Sequence, residues 1–259
     1  MKDALLVEYR KVTTTRSWWL CLVGMAGYTA LLALLVGWAL DQGGTAMASD
    51  QVAGSIYTLG ASMGYAFPLA VGALAVTGEF RHRTIMPTLL AEPRKGVVMA
   101  AKVLVSLATG LVYGLVGTLV CAGTGAAMLA ARGEPTHLTE AATLRVLGAS
   151  VLLLAVWAVL GTALGTLITN QGVVIVAILA FTQFIEPLAR MVLGGNPVGG
   201  NVVKLLPGAA GEAMVGTSFV SLSTSAPLLE PWWGLAVLLG YGALFAIGGR
   251  LITWRRDVA

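Results

Sequence analysis

Glu79, Arg81, His82 and Arg83 are clustered in Gly78-Glu79-Phe80-Arg81-His82-Arg83-Thr84-Ile85, with Glu92, Arg94 and Lys95 shortly after. A carboxylate set among guanidinium groups, beside apolar Phe80, Ile85, Met86 and Leu89, suits contact with a partner protein. Apolar anchors supply affinity and the charges fix register. The basic residues alone would serve equally to touch lipid headgroups. Glu79 and Glu92 favour the protein contact, because acidic residues do little to orient a chain in a membrane. A second constellation is Glu186 and Arg190, whose four-residue spacing allows an ion pair on a short helix. It reads either as a gate at an outer mouth or as a plain surface pair.

Catalytic patterns are missing from the rest of the sequence. There is no G-x-x-x-x-G-K-[ST] phosphate loop, no H-E-x-x-H and no G-x-S-x-G. His82 and His137 are the only histidines and fall in connections on opposite sides of the expected membrane, so no two-histidine metal site is expected. The apolar stretches lack Asp, Glu, Lys, Arg and His in their central portions, which argues against ion-coupled transport and against an intramembrane enzyme. Cys21 and Cys121 sit at different depths and are expected to remain thiols.

The elements that must position these residues are apolar helices. Of the 259 residues 57% are hydrophobic and 11% charged, with a mean hydropathy of +0.85. A soluble surface needs more charge than that, so lipid is the expected solvent. Backbone groups in lipid must be satisfied within their own segment, which makes the fold class all-α. Six stretches qualify as transmembrane helices: about 17–40, 52–77, 101–131, 146–168, 171–186 and 232–251. The first is too long for a signal segment and reads as an uncleaved helix. Of the 16 Lys and Arg residues, only Arg132, Arg145, Arg190 and Lys204 fall on one side. The positive-inside rule then puts both termini in the cytoplasm of a multi-pass protein of the cell membrane. Trp18, Trp19, Trp232, Trp233 and Trp254 fall where interfacial aromatics belong. The net charge of +4 is absorbed by this orientation, and no nucleic-acid partner is expected.

Within a single transmembrane domain over 1–259, three segments outside the spans carry pattern. Residues 1–16 read as an interfacial amphipathic helix, with Leu5, Tyr9 and Val12 on one face and Lys2, Arg10 and Lys11 on or beside the polar face. Residues 78–97 form a basic and apolar cytoplasmic loop. Residues 186–231 form a long external segment, still apolar and broken by Gly and Pro, expected to fold as short helices dipping back toward the membrane. Glycine pairs at Gly60/Gly64, Gly110/Gly114 and Gly161/Gly165 would let helices approach closely.

The loop resembles that of the ABC-2-type transporter permeases, the membrane subunits of ATP-driven exporters. Glu79, Arg81, Thr84, Leu89, Leu90, Pro93 and Lys102 match the family's pattern, although Arg83 stands where a Gly is usual. Glu8-Tyr9-Arg10-Lys11, the six-span layout and Leu206-Pro207-Gly208 in the last external loop extend the similarity along the chain. The resemblance implies pairing with a second permease, as a homodimer or a heterodimer. It also implies a separate ABC ATPase subunit that holds ATP and Mg, with no cofactor in this chain. It assigns coupling to Glu79, Phe80, Arg81, Arg83, Thr84 and Leu89, and to Glu8, Arg10 and Lys11. Tyr57, Tyr65, Phe67, Phe181, Gln183 and Phe184 are candidates to line an uncharged pathway for a hydrophobic or amphipathic compound. The reading from a different class is a membrane-embedded assembly subunit that transports nothing.

Overall fold

The computed structural model describes residues 1–42, 49–194, 197–216 and 228–252, and among them every regular element is helical. Trp254, Arg255 and Arg256 lie outside the described residues. Helix α1 (Lys2–Thr14) precedes α2 (Ser17–Gln42). The predicted second span is three pieces, α3 (Ser49–Tyr57), α4 (Leu59–Ser62) and α5 (Ala66–Arg81). Then come α6 (Ile85–Ala91), α7 (Lys95–Ala131) and α8 (Ala141–Leu167). Helix α9 (Gln171–Ala180) runs through a π-helical turn (Phe181–Ile185) into α10 (Glu186–Leu193). Short α11 (Pro197–Val203) and α12 (Pro207–Val215) precede the final α13 (Pro231–Ile252).

Among the described residues five helices are long and apolar enough to cross a membrane: Ser17–Ala39, Lys95–Ala131, Ala141–Leu167, Gln171–Leu193 and Pro231–Ile252. Large apolar side chains point outward along them, among them Leu31 and Leu35 on α2, Leu115 and Leu119 on α7, Val176 on α9 and Leu244 on α13. Such a surface is suited to lipid and makes the chain a multi-pass membrane protein.

Two segments depart from the sequence expectation. Residues 52–77 do not form one helix: the stretch is interrupted at Thr58 and again over Met63–Tyr65, and at the second interruption Pro68 has no N–H to give the carbonyl of Gly64. That carbonyl instead accepts from Phe67 N at 3.1 Å, and the helix restarts at Ala66. The stretch predicted to end at Glu186 instead continues to Leu193. Pro187 is accommodated there because the preceding turn is π-helical, with Glu186 N–H donating to Phe181 O. Asn170 starts this helix, its Oδ1 accepting from Gly172 N at 3.0 Å and Val173 N at 3.2 Å.

Helix α8 is the centre of the bundle, between α5 and α7. The glycine pairs make these contacts close. A Cβ at Gly161 or Gly165 would run into the backbone of Leu69 or Ala73 on α5, and one at Gly110 or Gly114 into Ala155 or Val151 on α8. Gly60 lies close to Gly117 of α7, whose carbonyl a Cβ there would approach to 3.3 Å. Buried Tyr65 stacks on Trp157 of α8 with ring centroids 4.4 Å apart. On the other side of α8, α12 buries Ala209, Ala210 and Ala213, and Gly234 of α13 meets Ala210.

The bundle therefore has two ends. One, called here the α1 end, gathers α1, the α5–α6–α7 connection, the α8–α9 turn and the last turns of α13. The other gathers the α7–α8 loop, α10 to α12 and the start of α13. At 37 residues α7 is about 55 Å long, well beyond a hydrocarbon core of about 30 Å, so its first turns extend to meet α1.

Candidate functional site

At the α1 end four charges close a ring. Glu8 of α1 accepts from Lys11 Nζ at 2.7 Å through Oε1 and from Lys102 Nζ at 2.8 Å through Oε2. Glu79, near the end of α5, receives the same two ammonium groups on Oε1: Lys102 at 2.7 Å, and Lys11. Lys102 also reaches the carbonyl of Ala75 at 3.4 Å, and Lys11 donates to Thr88 Oγ1 of α6 at 3.1 Å. Each carboxylate thus lies between two cations, and the ring is neutral. Lys102 has no exposed side-chain surface and both carboxylates only 5%, so these charges depend on one another. Oε2 of Glu79 is buried with no hydrogen-bond partner among the described residues.

The ring ties α1, α5, α6 and α7 together. Burial of Lys11 opposes its charge, but the hydrogen bonds it donates to Glu79 and Glu8 and their negative charge outweigh this and raise its pKa. Helix α5 then ends in a Schellman turn: Thr84 N donates to Glu79 O at 2.9 Å and Arg83 N to Phe80 O at 3.3 Å. Arg83 occupies the left-handed position, φ 56°, that glycine fills most easily. The turn is as tight as glycine would make it. It sends α6 off the end of the bundle, where Thr88 bonds the ring and Ile85 is buried, 4% exposed.

The ring revises the sequence picture of this loop. Glu8, Glu79 and Ile85 are buried within the chain. Lys11 turns inward, toward the ring, with Leu5 and Val12 half-buried on the same helix. Tyr9, expected beside them, is exposed, and so is Arg10. Phe80 and Leu89 are half-buried, while Arg81, Arg83 and Thr84 are exposed; Arg81 Nη1 donates to Gln171 Oε1 at 3.1 Å. What α6 offers outward is Met86 and Leu90, 44% and 80% exposed. Glu92 is held by Arg94 in two side-chain hydrogen bonds, at 2.8 and 2.9 Å, which lower its pKa to about 2.

A second charged cluster lies at the opposite end. Arg190 Nη2 donates to Glu186 Oε1 at 2.8 Å, and Nη1 to Glu212 Oε1 at 2.7 Å. Glu186 Oε1 also accepts from Ala209 N at 3.0 Å, at the start of α12, and its Oε2 from the Tyr65 hydroxyl at 3.4 Å. The predicted pair is therefore part of a buried clamp joining α10, α12 and the α4–α5 break. Glu212 was not anticipated. Its signal was a lone carboxylate in the apolar run 207–215, which a buried site must pair.

The aromatic set does not converge on one channel. Tyr57 is buried and donates to Thr136 O at 2.6 Å, Tyr65 belongs to the clamp, and Phe67 tilts against Tyr28. Phe181 is half-buried, whereas Gln183 and Phe184 face outward.

No protein-family model matches this chain, and no curated protein does either. Among the described residues no group of three or more His, Cys, Asp or Glu is placed to hold a metal ion.

Proposed function

We propose that the chain is the membrane subunit of an ATP-driven exporter of the ABC-2 type. In this reading the α1 end faces the cytoplasm, and a separate ABC ATPase docks on α6. A second permease, identical or different, pairs with the chain in the membrane. The broken α3–α4–α5 stretch acts as the second of six spans, since α5 alone, at 16 residues and about 24 Å, falls short of the bilayer core. The exported compound is hydrophobic or amphipathic, in keeping with the apolar bundle.

The observation that carries the reading is the way α6 is held. A short helix is anchored from behind by a buried charge ring and presents Met86 and Leu90 outward, with exposed Arg83 and Arg94 on its flanks. Apolar anchors rimmed by charge are what a docking surface requires. Because the ring also grips α1, α5 and α7, a displacement of α6 by the ATPase would move the helices themselves. ATP shifts such an equilibrium only if the ATPase holds α6 differently before and after nucleotide binding.

The test is co-purification of the chain with an ABC ATPase encoded beside its gene. Met86→Glu with Leu90→Glu should abolish the complex while the permease still elutes as folded protein. A complex indifferent to both substitutions contradicts the docking face. Cysteines placed at positions 82 and 137 test orientation: the first should label only from the cytoplasm and the second only from outside, and the reverse pattern refutes it.

A further inference from the structure

Between the first turns of α7, the end of α8 and the last turns of α13 lies a cavity of about 870 Å³. Met99, Val103, Ala163 and Ile247 line its walls, and among the described residues Lys95 and Arg250 are the charged ones that line it. Thr166 also borders it, but the hydroxyl donates to Ala163 O at 2.7 Å within its own helix, so this wall is effectively apolar. The volume falls within the range of small-molecule sites, about 300–1,000 Å³.

We infer that this cavity seats an anionic glycerophospholipid, with its phosphate between Lys95 and Arg250 and an acyl chain along the apolar wall. Three observations favour that occupant. The helices forming the walls are among those long and apolar enough to span a membrane, so the groove is open to lipid. Lys95 begins α7 and Arg250 stands in the last turn of α13, both at the α1 end, which puts the two cations at headgroup depth. From Lys95 to Val103 the wall runs about 12 Å along α7, deep enough for the upper part of an acyl chain. Arginine matches phosphate oxygens in a bidentate manner and lysine adds a point charge. Basic pockets between membrane helices take anionic headgroups for this reason. The inference needs the membrane setting but not the exporter reading.

The test is native mass spectrometry of the purified chain with added phosphatidylglycerol, phosphatidylcholine or inorganic phosphate. Phosphatidylglycerol should bind in preference to phosphatidylcholine, and phosphate alone should not bind detectably. Lys95→Gln with Arg250→Gln should weaken phosphatidylglycerol about 30-fold, the factor from two basic side chains each losing its usual attraction. Ala163→Trp should reduce adducts of both lipids by filling the groove. Equal binding of the two lipids, full binding by the charge-free variant, or binding of phosphate alone would overturn the inference. Should a variant misfold, salt titration of the unaltered chain decides: selectivity for phosphatidylglycerol must fall as ionic strength rises, and constant selectivity refutes the site.

Discussion

Lys102 Nζ lies 2.8 Å from Glu8 Oε2, joining two residues 94 positions apart in the chain and leaving the lysine with no exposed side-chain surface. This contact fastens the first helix to the bundle. Lys102→Met leaves two buried carboxylates with Lys11 as their remaining ring partner, and removal of one member of a buried ion pair costs about 3–5 kcal/mol. The thermal unfolding temperature in detergent should drop sharply. Adding Glu8→Gln to Lys102→Met should recover part of the loss, because Glu79 and Lys11 then remain as a balanced pair. A Lys102→Met protein that melts like the unaltered chain would mean the ring contributes nothing.

The ring also sets a pH window for α1. Lys11 has a raised pKa in the folded chain, so its contribution is fully present below the ordinary lysine value of 10.5 and is lost as pH rises through its folded value above that. Protease protection of α1 should stay flat from about pH 6 to 10 as far as Lys11 is concerned, and fall at higher pH. Lys11→Met should remove that alkaline step.

Arg83 accepts a left-handed backbone that costs a non-glycine residue about 1 kcal/mol. Arg83→Gly should keep the α5–α6 turn and hold or raise the melting temperature, whereas Arg83→Val should lower it, since a β-branched side chain fits poorly there. Calorimetry of the two variants checks the order. A valine variant as stable as the glycine one would contradict the turn geometry.

At the opposite end, Arg190 engages two carboxylates through separate nitrogens. Lysine carries the charge but cannot reproduce that fork. Arg190→Lys should therefore destabilise nearly as much as Arg190→Met, by roughly 2–4 kcal/mol. Full stability in the lysine variant would reduce the clamp to a matter of net charge.

The apolar stretches made the all-helical class legible, because their length and hydropathy decide it without knowledge of packing. The Glu186–Arg190 pair was legible too, since helical spacing alone brings its members together. Two kinds of information were not. A missing N–H at Pro68 accompanies one of the two interruptions in a stretch whose composition is otherwise that of a span, and the π-turn before Pro187 lets another helix continue. Burial of charge depends on contacts between distant segments. Glu79 reads as a surface residue in its loop, and only the arrival of Lys102 and α1 makes it internal. Glycine spacing was visible but common by chance in a chain with 33 glycines, so its meaning came from the backbones that meet there.

The central claim is that α6 is where an ATPase attaches. A photo-crosslinking amino acid at position 90, in cells expressing the chain with the proposed ABC ATPase partner, tests it most directly. The account predicts an ATPase adduct from position 90 and none from position 137 at the opposite end. Absence of an adduct at 90 while the ATPase co-purifies, or equal adducts at 90 and 137, would contradict it.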